Sequence, residues 1–222
     1  VPGQSFTLST SVDTVSGGAG DDTINATLDA TSTWSALDII DGGAGSDTLS
    51  VVDLATGGTA FPSTLNLSNV EHLSVRGADD VIVGVASYAF DSISISESVD
   101  ATVTAKATTD VTISGATGDV DVNSANDVTV SSSTGAIAVD ATGDVSVTSA
   151  TAAKDITIGA TTSPAGAVSV TKTKAGASTV SVDGGTDATI SVTGSSGGAD
   201  FINVGVTGAA TDHPSGVVTV TS

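Results

Sequence analysis

Gly17-Gly18-Ala19-Gly20-Asp21-Asp22-Thr23-Ile24 is followed, 25 residues later, by Gly42-Gly43-Ala44-Gly45-Ser46-Asp47-Thr48-Leu49. Both fit the pattern GGxGxD followed by one free residue and an aliphatic, the loop of parallel β-rolls that bind Ca²⁺. Each letter has a mechanical task. Glycines admit positive φ and bring backbone carbonyls close to an ion, the aspartate supplies a hard carboxylate, and the aliphatic turns into a core to begin the next strand. One isolated copy would read as a flexible turn with turn-forming aspartates. Two in-register copies argue for stacked coils.

The repeat extends upstream of the loops, since Val12-Asp13-Thr14-Val15-Ser16 matches Leu37-Asp38-Ile39-Ile40-Asp41 at the same offset. Stacking places Asp22 beside Asp47 and Asp13 beside Asp38. Strands in a sheet lie about 4.8 Å apart, so such carboxylates repel unless a cation separates them. The copies are 25 residues apart and not in nine-residue tandem, so one or a few ions are expected and not a long column. Strands are expected near Thr23 to Leu28, Ala36 to Ile40 and Thr48 to Leu54.

Composition bears on partners. The 222 residues hold 23 Asp and two Glu against five Lys and Arg, a formal charge of −20. Nucleic acid is excluded as a natural partner because the phosphate backbone demands the opposite sign. So lopsided a charge destabilises a compact chain, and bound divalent cations relieve it. Hydrophobic residues make up 39%, mostly Val, Ala and Ile alternating with Thr and Ser, which marks β-structure with a core and not disorder. Cysteine is absent, so an extracellular chain needs another staple, which a metal can supply. No apolar run of 18 residues exists, so no membrane-spanning helix is expected. Val1-Pro2-Gly3, with no initiator Met or leader, suggests a mature or internal fragment.

Three regions follow along the chain. Residues 1–60 carry the calcium-loop coils, and residues 61–98 form an irregular β connecting segment with Asn69-Val70-Glu71-His72-Leu73-Ser74-Val75, Tyr88 and Phe90. Residues 99–222 form a short-period repeat whose units start at Asp110, Asp119, Asp127, Ala136, Asp144, Asp155 and Ala167. Each unit is a strand with one narrow apolar face that cannot stand alone, and stacking buries a continuous ladder of Val and Ile. Antiparallel hairpins are the rival, but the Asn-Gly and Asp-Gly dipeptides of tight hairpins are missing from the turns between these units. The expected fold is therefore all-β, a parallel β-helix (β-solenoid) with calcium loops near its N-terminus. A coil takes about 17 residues with two strands or about 25 with three, and the N-terminal offset favours three. Val128, Val130, Val145, Val147, Ile156 and Ile158 should point inward, with Thr129, Ser146 and Thr157 outward. Asp110, Asp127 and Asp144 should form a surface ladder, and Pro164 and Lys172 to Gly176 should mark irregular loops.

The GGAGxDT loops, the Asn-Val-Glu-x-Leu-x-Val segment and the long Val/Thr/Ser/Ala/Asp repeat resemble bacterial surface-layer and adhesin proteins with RTX calcium loops, especially the lattice-forming part of the Caulobacter-type surface-layer protein. The resemblance implies an extracellular, type I secreted, calcium-dependent protein that self-assembles into a homo-oligomer or lattice at the cell surface, with cell-surface polysaccharide as a further partner. It implies ligation by the side chains of Asp22 and Asp47 and by carbonyls around Gly17, Ala19, Gly42 and Ala44, with Asp13, Asp21, Asp38 and Asp41 as additional candidates. Alternatives are the stalk or ligand-binding segment of an RTX adhesin and, behind it, a polysaccharide-active β-helix. The last wants aromatic platforms and basic residues, yet the chain has one Trp, one Tyr and four Phe. No enzymatic site is expected: His72 and His213 lie outside any HExxH motif, and no Ser or Thr has an adjacent base signature. His72 reads as a solvent-facing edge histidine, and Trp34 as a cover for the end of the core.

Overall fold

The computed structural model describes residues 1–61, 66–152, 154–174, 177–194, 200–205 and 213–222. These residues contain no helix and wind into a parallel β-solenoid of about nine turns. Alternation of apolar and small polar residues sets the strands, because successive side chains of an extended chain face opposite sides. Among the described residues, one sheet has eleven strands from Ser5–Thr7 to Val218–Thr221, a second has eight from Thr59–Ala60 to Asp200–Val204, and a third has three, Thr14–Ser16, Ile39–Asp41 and Asn66–Ser68. Every pairing between named strands is parallel, and the long sheet passes through all three regions read from the sequence.

The core is a set of aliphatic columns running along the axis. Ile24, Leu49, Leu73, Ile93, Val111, Val128 and Val145 stack in one column, each buried. Ile137, Ile156 and Val180 do the same in the second sheet. The expected inward set, Val128, Val130, Val145, Val147, Ile156 and Ile158, is buried, while Thr129 and Ser146 are exposed and Thr157 half-buried. Outward across the long sheet runs an unbroken column of small polar side chains from Asn25 through Ser50, Ser74, Ser94, Thr112, Thr129, Ser146 and Ser169 to Thr189.

Coil size differs from the three-strand expectation. Val111, Val128 and Val145 are successive rungs 17 residues apart, and each coil there has one strand in each of two sheets. The N-terminal 25-residue coil also carries two strands, Thr23–Leu28 and Ile39–Asp41. Its extra length goes into an excursion over residues 29–38 that buries Trp34, and into the glycine loop. Three strands occur in the coil of Thr48–Asp53, Thr59–Ala60 and Asn66–Ser68. The strand expected from Ala36 begins at Ile39 instead, because the Asp38 carboxylate accepts the backbone N–H groups of Asp13 (2.9 Å) and Ser35 (2.7 Å) and turns the chain there. Trp34 is buried edge-on against Phe61, which follows the end strand Thr59–Ala60 of the eight-strand sheet, ring centroids 5.1 Å apart.

The aspartate ladder forms as expected. Asp110 Oδ1 accepts the Asp127 N–H (3.2 Å), Asp127 Oδ1 that of Asp144 (2.7 Å), and Asp144 Oδ1 that of Ala167 (2.7 Å). Each carboxylate thus meets a backbone donor of the next coil, and solvent reaches its remaining oxygen, so no cation is needed there. Pro164 lies in a loop. Lys172 to Lys174, expected in a loop, belong to the strand Val168–Lys174, while residues 175 and 176 lie outside the described set. Lys172 is buried in an inward column after Ser149, whose small side chain leaves room, and its Nζ donates to the Lys154 carbonyl and to Ser178 Oγ (2.6 Å).

The columns predict a sharp asymmetry between adjacent positions. Val145→Asp puts an uncompensated charge inside a column and should cost about 3–5 kcal/mol, whereas the outward Ser146→Asp should stay within about 0.5 kcal/mol. Denaturant unfolding of both variants reads this directly, and similar losses would contradict the assignment of faces.

Candidate metal centre

The two glycine loops lie one above the other. Gly18, Gly20, Gly43 and Gly45 have φ of 95°, 122°, 96° and 151°, conformations open chiefly to glycine. The loops pair through a bridge at Ala19 and Ala44, with Ala44 N–H donating to Gly18 O (2.7 Å) and Gly20 N–H to Ala44 O (2.8 Å). Gly17 and Gly42 serve close approach: a Cβ on Gly17 would collide with the Gly42 carbonyl and Asp22 Oδ2, and one on Gly42 with the Asn69 carbonyl and Asp47 Oδ2. Each buried carboxylate oxygen therefore faces a glycine backbone and a carbonyl oxygen from the next coil.

A hydrogen-bond chain holds these carboxylates. Asp22 Oδ1 accepts the Gln4 N–H (2.6 Å), Asp47 Oδ1 the Asp22 N–H (2.7 Å), and Glu71 Oε2 the Asp47 N–H (2.9 Å). Asp22 is 1% exposed and Asp47 fully buried, yet Oδ2 of each has no hydrogen-bond partner. A buried anionic oxygen without a donor costs several kcal/mol. Facing carbonyl oxygens instead, it makes an all-oxygen pocket of the kind a hard divalent cation completes. Asp22, Asp47 and the carbonyls of Gly42 and Asn69 are the groups that would hold Ca²⁺. Among the described residues no three His, Cys, Asp or Glu side chains cluster as a metal site, so an ion held here would draw its further ligands from backbone carbonyls.

The other sequence candidates have structural duties. Asp38 spends both oxygens on backbone N–H groups, and Asp13 accepts from Ser9 N–H (2.7 Å) and Oγ (3.0 Å). Asp21, exposed, accepts the Ser46 N–H (2.9 Å), and Asp41 Oδ1 accepts from Gly43 N–H (3.2 Å) and Asn69 Nδ2 (2.8 Å). The Ala44 carbonyl is taken by Gly20, and the Gly17 carbonyl accepts Gln4 Nε2 (2.6 Å). Asn69 and Glu71 went unassigned in the sequence, although Leu73 pairs with Leu49 and Thr48 with His72. Three residues fewer between Asn69 and Glu71 than in the glycine loops hide the correspondence. Asn69 keeps the loop's positive φ, 51°. Beside it a cleft of about 240 Å³ opens, lined in part by Ser68, Glu71 and Tyr88.

His72 is no edge residue. It starts the strand His72–Gly77, paired on both sides, and its ring bridges Ser46 Oγ (2.7 Å) and Ser92 Oγ (2.8 Å) of the neighbouring coils. No protein-family model matches the chain, and no curated protein matches its sequence.

One further carboxyl is out of balance. Asp53, 1% exposed, accepts the Ala55 N–H (3.0 Å) at Oδ1 and has no partner at Oδ2. Burial pushes it above the ordinary aspartate value, with the charge of Asp79 adding to the rise and the Ala55 N–H opposing it. A carboxyl raised in the folded state favours folding when protonated. Its ionisation therefore costs nothing below the unfolded pKa near 3.9, and the cost grows as pH rises to the folded value and is constant above it. Asp53→Asn should thus be more stable than wild type in chelator near neutral pH, with the gap closing toward about pH 3. Unfolding curves of both proteins against pH test this; a gap that does not change with pH would refute it.

Proposed function

We propose that this chain is a structural extracellular protein, a calcium-dependent surface-layer component that self-assembles at the bacterial cell surface. One observation carries the calcium dependence: Oδ2 of Asp22 and of Asp47 are buried, lack donors and face backbone carbonyls across glycines that tolerate no Cβ. Ca²⁺ bound there staples successive coils, the task disulfides perform in other secreted chains. The net charge of −20 supports the same reading, since like-charged copies pack side by side only when cations offset their repulsion. Type I secretion accords with the loop type.

Chelation gives the direct test. A site held a hundredfold above its Kd adds about 2.7 kcal/mol to stability, so calcium should raise the melting temperature well above that in EDTA, and Asp22→Asn or Asp47→Asn should remove much of the increment. Identical melting with calcium and with EDTA would sink the calcium reading. Electron microscopy in calcium should then show ordered two-dimensional arrays that disperse on chelation. A monomer that instead binds surface glycans would favour the adhesin-segment alternative.

A further inference from the structure

Four buried side-chain oxygens among the described residues lack a hydrogen-bond partner, and they fall in two places. Asp22 Oδ2 and Asp47 Oδ2 belong to the glycine loops. Asp53 Oδ2 and Ser98 Oγ lie at a different corner, where the chain leaves the long sheet. Asp53 ends the strand Thr48–Asp53 and pairs with Gly77 of the next coil, and a Cβ on Gly77 would stand 3.5 Å from Ser98 Cα one coil further on.

The chain around Asp53 is arranged as an oxygen-rich turn. Its Oδ1 is anchored by Ala55 N–H, and the loop continues through Gly57 and Gly58, with φ of 82° and 76°. Asp79 of the next coil reaches back to this loop, its Oδ2 accepting the Gly57 N–H (3.0 Å). The Ala78 N–H donates to the Asp53 carbonyl (2.8 Å), which fixes the Ala78-Asp79 segment against Asp53. Among the described residues no Lys or Arg side chain is bonded to either carboxylate, and the neighbouring Arg76 is paired with Glu97, both exposed. Burial of Asp53 as a carboxylate is uncompensated: its other oxygen has no donor, and the charge of Asp79 acting on it is negative. An oxygen-ligated cation between the two coils resolves both conditions at once.

We propose a second class of divalent-cation site, held by Asp53 and Asp79 at the corner of residues 53–58 and 77–80, outside the glycine loops and independent of them. Asp53 supplies the buried oxygen, Asp79 the half-exposed one, and the cation joins the coil of Thr48–Asp53 to that of His72–Gly77. Ca²⁺ is the fitting chemistry, since the available donors are all oxygen and the half-exposed Asp79 leaves water able to complete the coordination.

Calorimetric titration of the full, chelator-stripped chain with Ca²⁺ tests the site, using Asp53→Asn, Asp79→Asn and the double loop variant Asp22→Asn/Asp47→Asn. The loop double variant should still bind Ca²⁺, and adding Asp53→Asn to it should abolish that binding. In the otherwise native chain Asp53→Asn and Asp79→Asn should each lower the stoichiometry by one. Melting supplies a second readout with a change of sign: Asp53→Asn should melt higher than wild type in EDTA and lower in calcium. If the loop double variant binds no calcium while wild type does, the corner site is wrong and the loop reading stands. If the loop double variant leaves stoichiometry unchanged while Asp53→Asn lowers it, the loop reading fails and the corner stands. An Asp53→Asn protein that melts higher than wild type in both conditions overturns the proposal, leaving Asp53 a buried acid without a ligand.

Discussion

Parallel stacking in register is the constraint on which the rest of this molecule depends. Paired strand residues of successive coils lie about 4.8 Å apart, so whatever one strand places on a face meets its counterpart in the next. For aliphatic residues this is favourable: Leu49 on Leu73 on Ile93 makes a column that excludes water along the whole axis. For carboxylates it is a problem, because the same geometry brings like charges together at each corner.

The corners answer that problem in two ways. Where the aspartate is exposed or half-exposed, as at Asp110, Asp127 and Asp144, one oxygen takes the backbone N–H of the next coil and water serves the other. At the buried Asp22, Asp47 and Asp53, one oxygen accepts a backbone N–H from a neighbouring coil or nearby in the chain, and the other has no partner. The direction of the bonds also changes along the axis. In the first coils the buried carboxylates accept from the earlier strand, as Asp47 does from Asp22, and Asp79 does the same from Gly57, although the exposed Asp21 accepts from the later Ser46; further on the earlier carboxylate accepts from the later, Asp80 from Asp100 and Asp100 from Asp119. Adjacent residues, Asp79 and Asp80, face the two directions. Among the described residues the orphan carboxylates lie on the N-terminal side of that change, so the two parts of the solenoid differ there in how they handle charge and not only in sequence.

Glu71 shows how a site can outlast its motif. Its carboxylate holds the Asp47 N–H as Asp47 holds that of Asp22, and Asn69 presents its carbonyl to Gly42 as Gly42 presents its own to Gly17. The glycine signature is gone from this coil and the loop is three residues shorter, yet the positions facing the preceding loop keep an oxygen donor set.

The sequence by itself determined the parallel solenoid, the inward and outward faces and the pairing of Asp22 with Asp47. All three follow from local periodicity and from an offset repeated letter for letter, and stacking adds nothing that those patterns do not contain. Tertiary structure alone decided how many strands a coil holds, because the extra length of the 25-residue coils goes into an excursion around Trp34 that no periodicity marks. It also decided which of the many aspartates are left wanting. Asp38 and Asp22 are alike in sequence and in burial, but Asp38 turns both oxygens onto backbone donors while Asp22 turns one onto carbonyls. Asp38 Oδ2 finds its donor locally, in Ser35 of the excursion, whereas Asp22 Oδ2 meets the Gly42 carbonyl of the next coil, 20 residues on, and no local pattern records that opposition.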